Sequence, residues 1–104
     1  MDKYRLYFST IAYKDLVDIY SYIKNQLKDH NNAKKVYKKI ISEINKLEYL
    51  PNRHQKIELE DCTYNVIRRL VIDKYIVVYT VREDEKVVSI RRILYGALEW
   101  EKEL

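Results

Sequence analysis

One cysteine, one glycine and one proline are all that this chain of 104 residues carries of each, and each scarcity removes a class of explanation. A lone thiol, Cys62, excludes an internal disulfide and any cysteine-rich metal cluster, so a reducing cytoplasm is the expected setting. A nucleophilic role for Cys62 would need a partner base, and none is identifiable in the polar stretch around it. With Gly96 as the only glycine there is no glycine-rich phosphate loop and no dinucleotide fingerprint, and with Pro51 as the only proline there is no Pro/Gly-rich linker. The two histidines, His30 and His54, are too few and too far apart in sequence for a zinc site, and neither a metal nor an organic cofactor is expected. No stretch approaches the roughly 18 to 20 apolar residues of a membrane span. The opening MDKYRLYFSTIAYKDL also lacks the apolar run of a signal peptide. A soluble, cytoplasmic protein without a membrane partner is the expectation.

What the chain does have is 47% hydrophobic residues, enough for one core and one domain over residues 1–104, and a formal charge of +4. That sign favours an anionic partner, either nucleic acid or an acidic protein.

The most informative stretch is Tyr64 to Tyr95. Tyr75 to Val81 is dense in β-branched and aromatic residues and apolar on both alternating faces, which predicts a middle strand buried on two sides. Strands are predicted on either side of it, Tyr64 to Leu70 and Lys86 to Leu94, the second joined through a tight hairpin at Glu83, Asp84 and Glu85. Each flanking strand is interrupted by an arginine pair, Arg68 and Arg69 in one, Arg91 and Arg92 in the other. Two cationic groups are therefore expected beside the central strand.

Upstream, Lys3 to Ser9 alternates as a strand covered on one side. Ser9 and Thr10 then offer oxygens for a helix N-terminus, and Ala12, Leu16, Ile19, Ile23 and Leu27 recur at helical steps over about five turns. After Lys28 to Asn32, with Asn31 or Asn32 as cap, a second helix carries Ala33, Val36, Ile40, Ile44 and Leu47 and stops near Leu50, ahead of Pro51. So short a connection predicts an antiparallel helical hairpin. Lys34, Lys35, Lys38 and Lys39 fall off the apolar stripe; the ordinary reading is a solvated outer face, the alternative a phosphate-binding one. Asn52 to Thr63 is polar and predicts a loop or a short edge strand. The closing YGALEWEKEL predicts a turn and a short tail, with Leu98 or Trp100 packed back on the domain. The sum is an α+β two-layer domain of order β-α-α-β-β-β. A first strand is added at the edge of a three-stranded antiparallel meander, helices cover one sheet face, and the other face is open.

Four stretches together resemble the RelE/ParE superfamily of toxins from bacterial type II toxin-antitoxin modules. They are AYKDLVDIYSYI from Ala12, INKLEYLP from Ile44, YIVVYTV from Tyr75 and VVSIRRILYGALEW from Val87. The resemblance covers nearly the whole chain, in order. It implies a small basic toxin neutralised by a cognate antitoxin, whose acidic or amphipathic segment wraps over it. Arg68, Arg69, Arg91, Arg92 and Trp100 are the expected antitoxin contacts.

Two activities divide the superfamily: RelE-like members cut mRNA on the ribosome, and ParE-like members inhibit DNA gyrase. Metal-independent RNA cleavage needs a base, cations for the phosphate charge, and an acid or a stacking ring at the leaving side. The candidates are His54, with Lys56 or Glu58, for proton transfer, Arg69 and Arg92 for charge, and Tyr95 for stacking or acid work. Against them stand ordinary readings: arginines keeping a sheet face soluble, a packed tyrosine among eleven, a loop histidine. Two positions depart from the nuclease pattern, with Ile76 where an arginine usually follows the middle-strand tyrosine, and Leu94 where some relatives have a histidine before the terminal tyrosine. The pattern therefore leans towards a gyrase inhibitor. The alternatives are a ribosome-dependent mRNA endoribonuclease and a degenerate toxin that only binds its antitoxin.

Overall fold

The computed structural model describes residues 3–49, 51, 56–60 and 66–96. Ser9 opens the first helix as its hydroxyl suggests: Oγ accepts from the Ala12 amide at 3.0 Å and satisfies one of the donors left over at a helix start. Helix α1, Thr10–Ser21, passes directly into one wider π turn, Tyr22–Gln26. Helix α2, His30–Asn45, is capped by Asp29 and not by Asn31 or Asn32. The Asp29 carboxylate accepts from the Asn32 amide at 3.0 Å, which places both asparagines inside the first turn. A 3₁₀ turn, Lys46–Glu48, then ends the hairpin ahead of Pro51.

Five strands follow the order β1-β5-β4-β3-β2: β1 Arg5–Phe8, β2 Lys56–Glu60, β3 Val66–Ile72, β4 Tyr75–Arg82 and β5 Val87–Tyr95. The meander β3-β4-β5 and the added edge strand are as the sequence predicts, and β4 is the middle strand, buried without interruption from Ile76 to Val81. Strand β1 lies parallel to β5, and the polar stretch after Asn52 supplies an edge strand, β2, antiparallel to β3. Scarcity of glycine shows in the turns: Lys28, Asp73 and Lys86 take left-handed φ values of 51°, 51° and 54°. Aspartate tolerates this region better than most residues; the two lysines bear its cost.

The main core lies between sheet and hairpin, where Ala12, Leu16, Ile40, Ile44 and Leu47 meet Leu70, Ile72, Val77, Tyr79, Val81, Val88, Ile90 and Ile93. Each fully buried aliphatic side chain there contributes about 1.5–3 kcal/mol. The opposite face, expected to be open, carries a second small cluster of Ile67, Ile76 and Val78 with Leu94 against it. A middle strand apolar on both faces needs a second cluster of this kind.

The register between β4 and β5 slips once: Val78 pairs with Arg92 and Tyr79 with Ile90, leaving Arg91 as the extra residue of a bulge. Strict alternation would turn Ile93 away from the core. With the bulge, Ile90 and Ile93 both enter it, at 0% and 2% exposure.

Among the described residues no helix is long and apolar enough to cross a membrane. Two contacts tie the sheet to distant parts of the chain. Tyr79 donates its buried hydroxyl to the Pro51 carbonyl at 2.6 Å. Phenylalanine there leaves that carbonyl unsatisfied, and urea unfolding is expected to show a loss of about 1–2 kcal/mol with an unchanged m value.

At the β4-β5 turn, Tyr4 donates to the Glu83 carboxylate at 2.5 Å, with the Lys86 ammonium 5.0 Å from its ring centre. The hydrogen bond to Glu83, then burial, raises the Tyr4 phenol above its ordinary 10.0, although Lys86 opposes them. A raised phenol favours the neutral form in the folded state. Its contribution is therefore complete below about pH 10 and is lost as pH rises through the raised value. Thermal unfolding between neutral pH and pH values above 10 is expected to fall less steeply for Tyr4→Phe than for the parent chain.

Candidate interaction and catalytic site

Sheet register decides which candidate residues can act together. Arg68 pairs with Tyr79 on the helix-facing side and is 9% exposed, so it belongs to the packed interior and not to a surface. Arg69 pairs with Val78, and Val78 with Arg92, which puts the two arginines in one row on the far face, either side of a fully buried valine. The arginine pairs thus divide by parity. Each strand sends one member, Arg69 and Arg92, to that row.

Arg92 is then drawn to the edge of the sheet. Its Nε donates to Asp15 Oδ2 at 2.8 Å and its Nη2 to Asp15 Oδ1 at 3.2 Å, while the Ile93 amide donates to the same Oδ2 at 2.9 Å. The cause is topological. Strand β1 ends at Phe8, so the outer edge of β5 beyond Ile90 has no strand beside it. The start of α1 takes over that edge: the Ser9 amide donates to the Ile90 carbonyl at 3.0 Å, the Ser9 hydroxyl to the Arg91 carbonyl at 2.9 Å, and Asp15 receives the Ile93 amide. Asp15 is the residue that reading the sequence passed over. Its only trace there is a carboxylate beside the apolar position Leu16, one of several on the helix.

The two departures from the nuclease pattern face each other. Ile76 pairs with Leu94 across β4 and β5 on the far face; Ile76 is 8% exposed within the second cluster, and Leu94 packs against it. Where an arginine and a histidine would bring charge and a proton relay, this chain has an apolar contact.

Tyr95 lies on the other side. It pairs with Tyr75 on the helix-facing side, their rings edge to face with centres 5.7 Å apart, and it is 61% exposed. Burial, then Tyr95 and Asp73, raises the Tyr75 phenol. Both rings line a cleft of about 900 Å³ between the hairpin and the end of the sheet, together with Ile19, Tyr22, Val36 and Asp73. Gly96 closes this end of β5: its amide donates to the Lys74 carbonyl, and a Cβ at Gly96 would come within 2.6 Å of that oxygen. Glycine is required there for the approach of two backbones. The structure thus sets Arg69 and Arg92 on one face two strands apart, with Arg92 turned to Asp15, and Tyr95 on the opposite face; His54 and Trp100 lie outside the described residues.

One strand comes before the helical hairpin and four after it, a β-α-α-β-β-β-β layout whose β5 carries IRRILY. Residues 6–100 match the family described as "ParE toxin of type II toxin-antitoxin system, parDE". The chain belongs to the ParE toxin family. The RelE/ParE superfamily membership expected from sequence is therefore correct.

Solved structures agree on the fold of this ParE-family chain. The chromosomal ParDE toxin-antitoxin system of P. aeruginosa aligns with a TM-score of 0.74 at 20% identity, over 93% of this chain and 100% of that one. The archaeal RelE-RelB complex from Pyrococcus horikoshii OT3 gives 0.65 at 21% identity, over 92% and 98%. The toxin-antitoxin complex RelBE2 from Mycobacterium tuberculosis gives 0.59 at 17% identity, over 89% and 98%. No curated protein sequence matches the chain.

Proposed function

We propose that this ParE-family toxin is held inactive by a cognate antitoxin and, once released, inhibits DNA gyrase without breaking a bond itself. The observation that carries this reading is the separation of the groups a ribonuclease would need. Acid-base catalysis on RNA requires them within hydrogen-bond reach of one phosphate. Here Arg69 and Tyr95 lie on opposite faces, Arg92 is bound to Asp15, and Ile76 and Leu94 form an apolar pair between the arginine row and the strand ends.

The antitoxin is supported by the resemblance to proteins solved as toxin-antitoxin complexes. Of the proposed contacts, Arg69 and Arg91 are half-buried, as Arg92 is. Arg68 and Arg92 are committed to the fold, and their removal would act on affinity through stability.

Two assays on the toxin freed from its antitoxin test the reading: DNA supercoiling by gyrase, and mRNA integrity on programmed ribosomes. Blocked supercoiling with intact mRNA is the expected result. Codon-linked cuts that disappear with Tyr95→Phe would replace it with the RelE-like ribonuclease, and silence in both assays would leave a degenerate toxin that only binds its antitoxin.

A further inference from the structure

Positive charge is distributed unevenly over this fold. From Ile19 to Ser42 there are six lysines, Lys24, Lys28, Lys34, Lys35, Lys38 and Lys39, against one carboxylate, Asp29, so this one stretch exceeds the +4 of the whole chain. Asp29 is occupied in capping α2, and Lys39 is paired with Asp73 at 2.8 Å. Among the described residues Lys34, Lys35 and Lys38 have no carboxylate partner, although the chain has 16 acidic residues to offer. A face kept soluble at low cost would mix both signs, as helix surfaces commonly do with Glu-Lys pairs.

The lysines also border a shaped surface. Val17, Tyr20, Lys34, Tyr37 and Lys38 line a shallow groove of about 490 Å³ between α1 and α2, on the side away from the Tyr75-Tyr95 cleft. Tyr20 and Tyr37 meet edge to face at 6.0 Å, and the Lys24 ammonium sits 5.9 Å from the Tyr20 ring centre. Tyr37 keeps 43% exposure, so its ring stands at the surface.

We propose that this groove of the helical hairpin binds the sugar-phosphate backbone of duplex DNA, independently of sequence. Lys34 and Lys38 are one helical turn apart, about 6 Å along the axis. Side chains that close together and that long can reach neighbouring phosphates of one strand. Lysine ammonium groups and tyrosine hydroxyls are both ordinary phosphate donors. An acidic protein would present the same sign of charge but a different interface. Protein interface cores are depleted of lysine and enriched in arginine, and the stretch from Ser9 to Leu50 contains no arginine at all. The inference goes beyond the gyrase reading and does not depend on it.

A fluorescein-labelled duplex of arbitrary sequence, titrated with the free toxin and followed by anisotropy, is the test. With Lys24, Lys34, Lys35 and Lys38 as the footprint, the affinity is expected to fall with a log-log salt slope of about −3 to −4 between about 50 and 200 mM salt. Lys34→Gln with Lys38→Gln should weaken binding about tenfold or more at the lower salt and reduce the slope by about two. The charge-matched pair Lys3→Gln with Lys46→Gln, remote from the groove, should stay within about twofold. All four positions are exposed, and matching thermal transitions will verify the fold of each variant.

Absence of binding at low salt, or equal losses in the two pairs, overturns the proposal. Stronger competition by poly-glutamate than by unlabelled duplex, charge for charge, overturns it too, and assigns the groove to an acidic protein. Duplex binding without inhibition of supercoiling would sink the gyrase proposal and leave this one standing. Inhibition without duplex binding would do the reverse.

Discussion

Alanine in place of Asp15 is expected to lower the stability of the free toxin by about 2–4 kcal/mol, a drop of roughly 10–20 °C in Tm for a domain of this size. The carboxylate receives three donors, two from the Arg92 guanidinium and one from the Ile93 amide. Its side chain is 14% exposed and that of Arg92 is 23% exposed, so water can replace little of what is lost. Removing one partner of such a pair is costly mainly because it leaves the other half-buried charge, and here also a strand amide, without an acceptor. Asparagine keeps the shape and one acceptor and should recover part of the loss. Urea unfolding of Asp15→Ala, Arg92→Ala and the double variant measures the coupling, which should exceed about 1 kcal/mol. A coupling near zero would mean that the pair behaves as an exposed one, screened by solvent.

The second large effect is expected from truncating Ile93, where deleting Arg91 should cost less. Ile93 is 2% exposed in the main core, and isoleucine-to-alanine at such a site costs about 2–5 kcal/mol. That is a large share of the roughly 5–15 kcal/mol typical of a domain. Deleting Arg91 removes only the extra residue of the bulge. Ile90, Arg92 and Ile93 then alternate strictly opposite Tyr79, Val78 and Val77, so Ile93 stays in the core and Arg92 in its row. What is lost is the local twist of the bulge and the Arg91 carbonyl that accepts from Ser9 Oγ. Circular dichroism and thermal melting of Ile93→Ala and the Arg91 deletion side by side test this; a deletion variant less stable than Ile93→Ala would show that the bulge itself holds the register.

Local pattern carried much of this architecture. The β-branched and aromatic run at Tyr75 to Val81, apolar on both alternating faces, marked the middle strand, and the three- and four-residue steps from Ala12 and Ala33 marked the hairpin, because periodicity reports directly on which faces are buried. Parity could also have separated Arg68 from Arg69, since Leu70 and Ile72 are the core positions of β3 and Arg68 shares their side. The bulge too left a trace: Val88, Ile90 and Ile93 break a period of two at the position where Arg91 is extra. By contrast, nothing near Asp15 signals a partner 77 residues away, because that contact depends on where β1 happens to end beside β5. The capping of α2 by Asp29 was missed for a smaller reason: three capping residues lie within four positions, and only geometry selects among them.

The parallel pairing of β1 with β5 also constrains the order in which the fold can be made. Arg5 to Phe8 find their strand partners only in Val87 to Ile90, a closure of about 80 residues whose entropic cost grows only slowly with loop length. During synthesis at about 5–20 residues per second, the first strand and the helical hairpin therefore wait several seconds for the sheet that completes them. Nothing assembled earlier on the ribosome includes the arginine row or the Asp15 clamp, so both come into existence only when β5 joins the sheet.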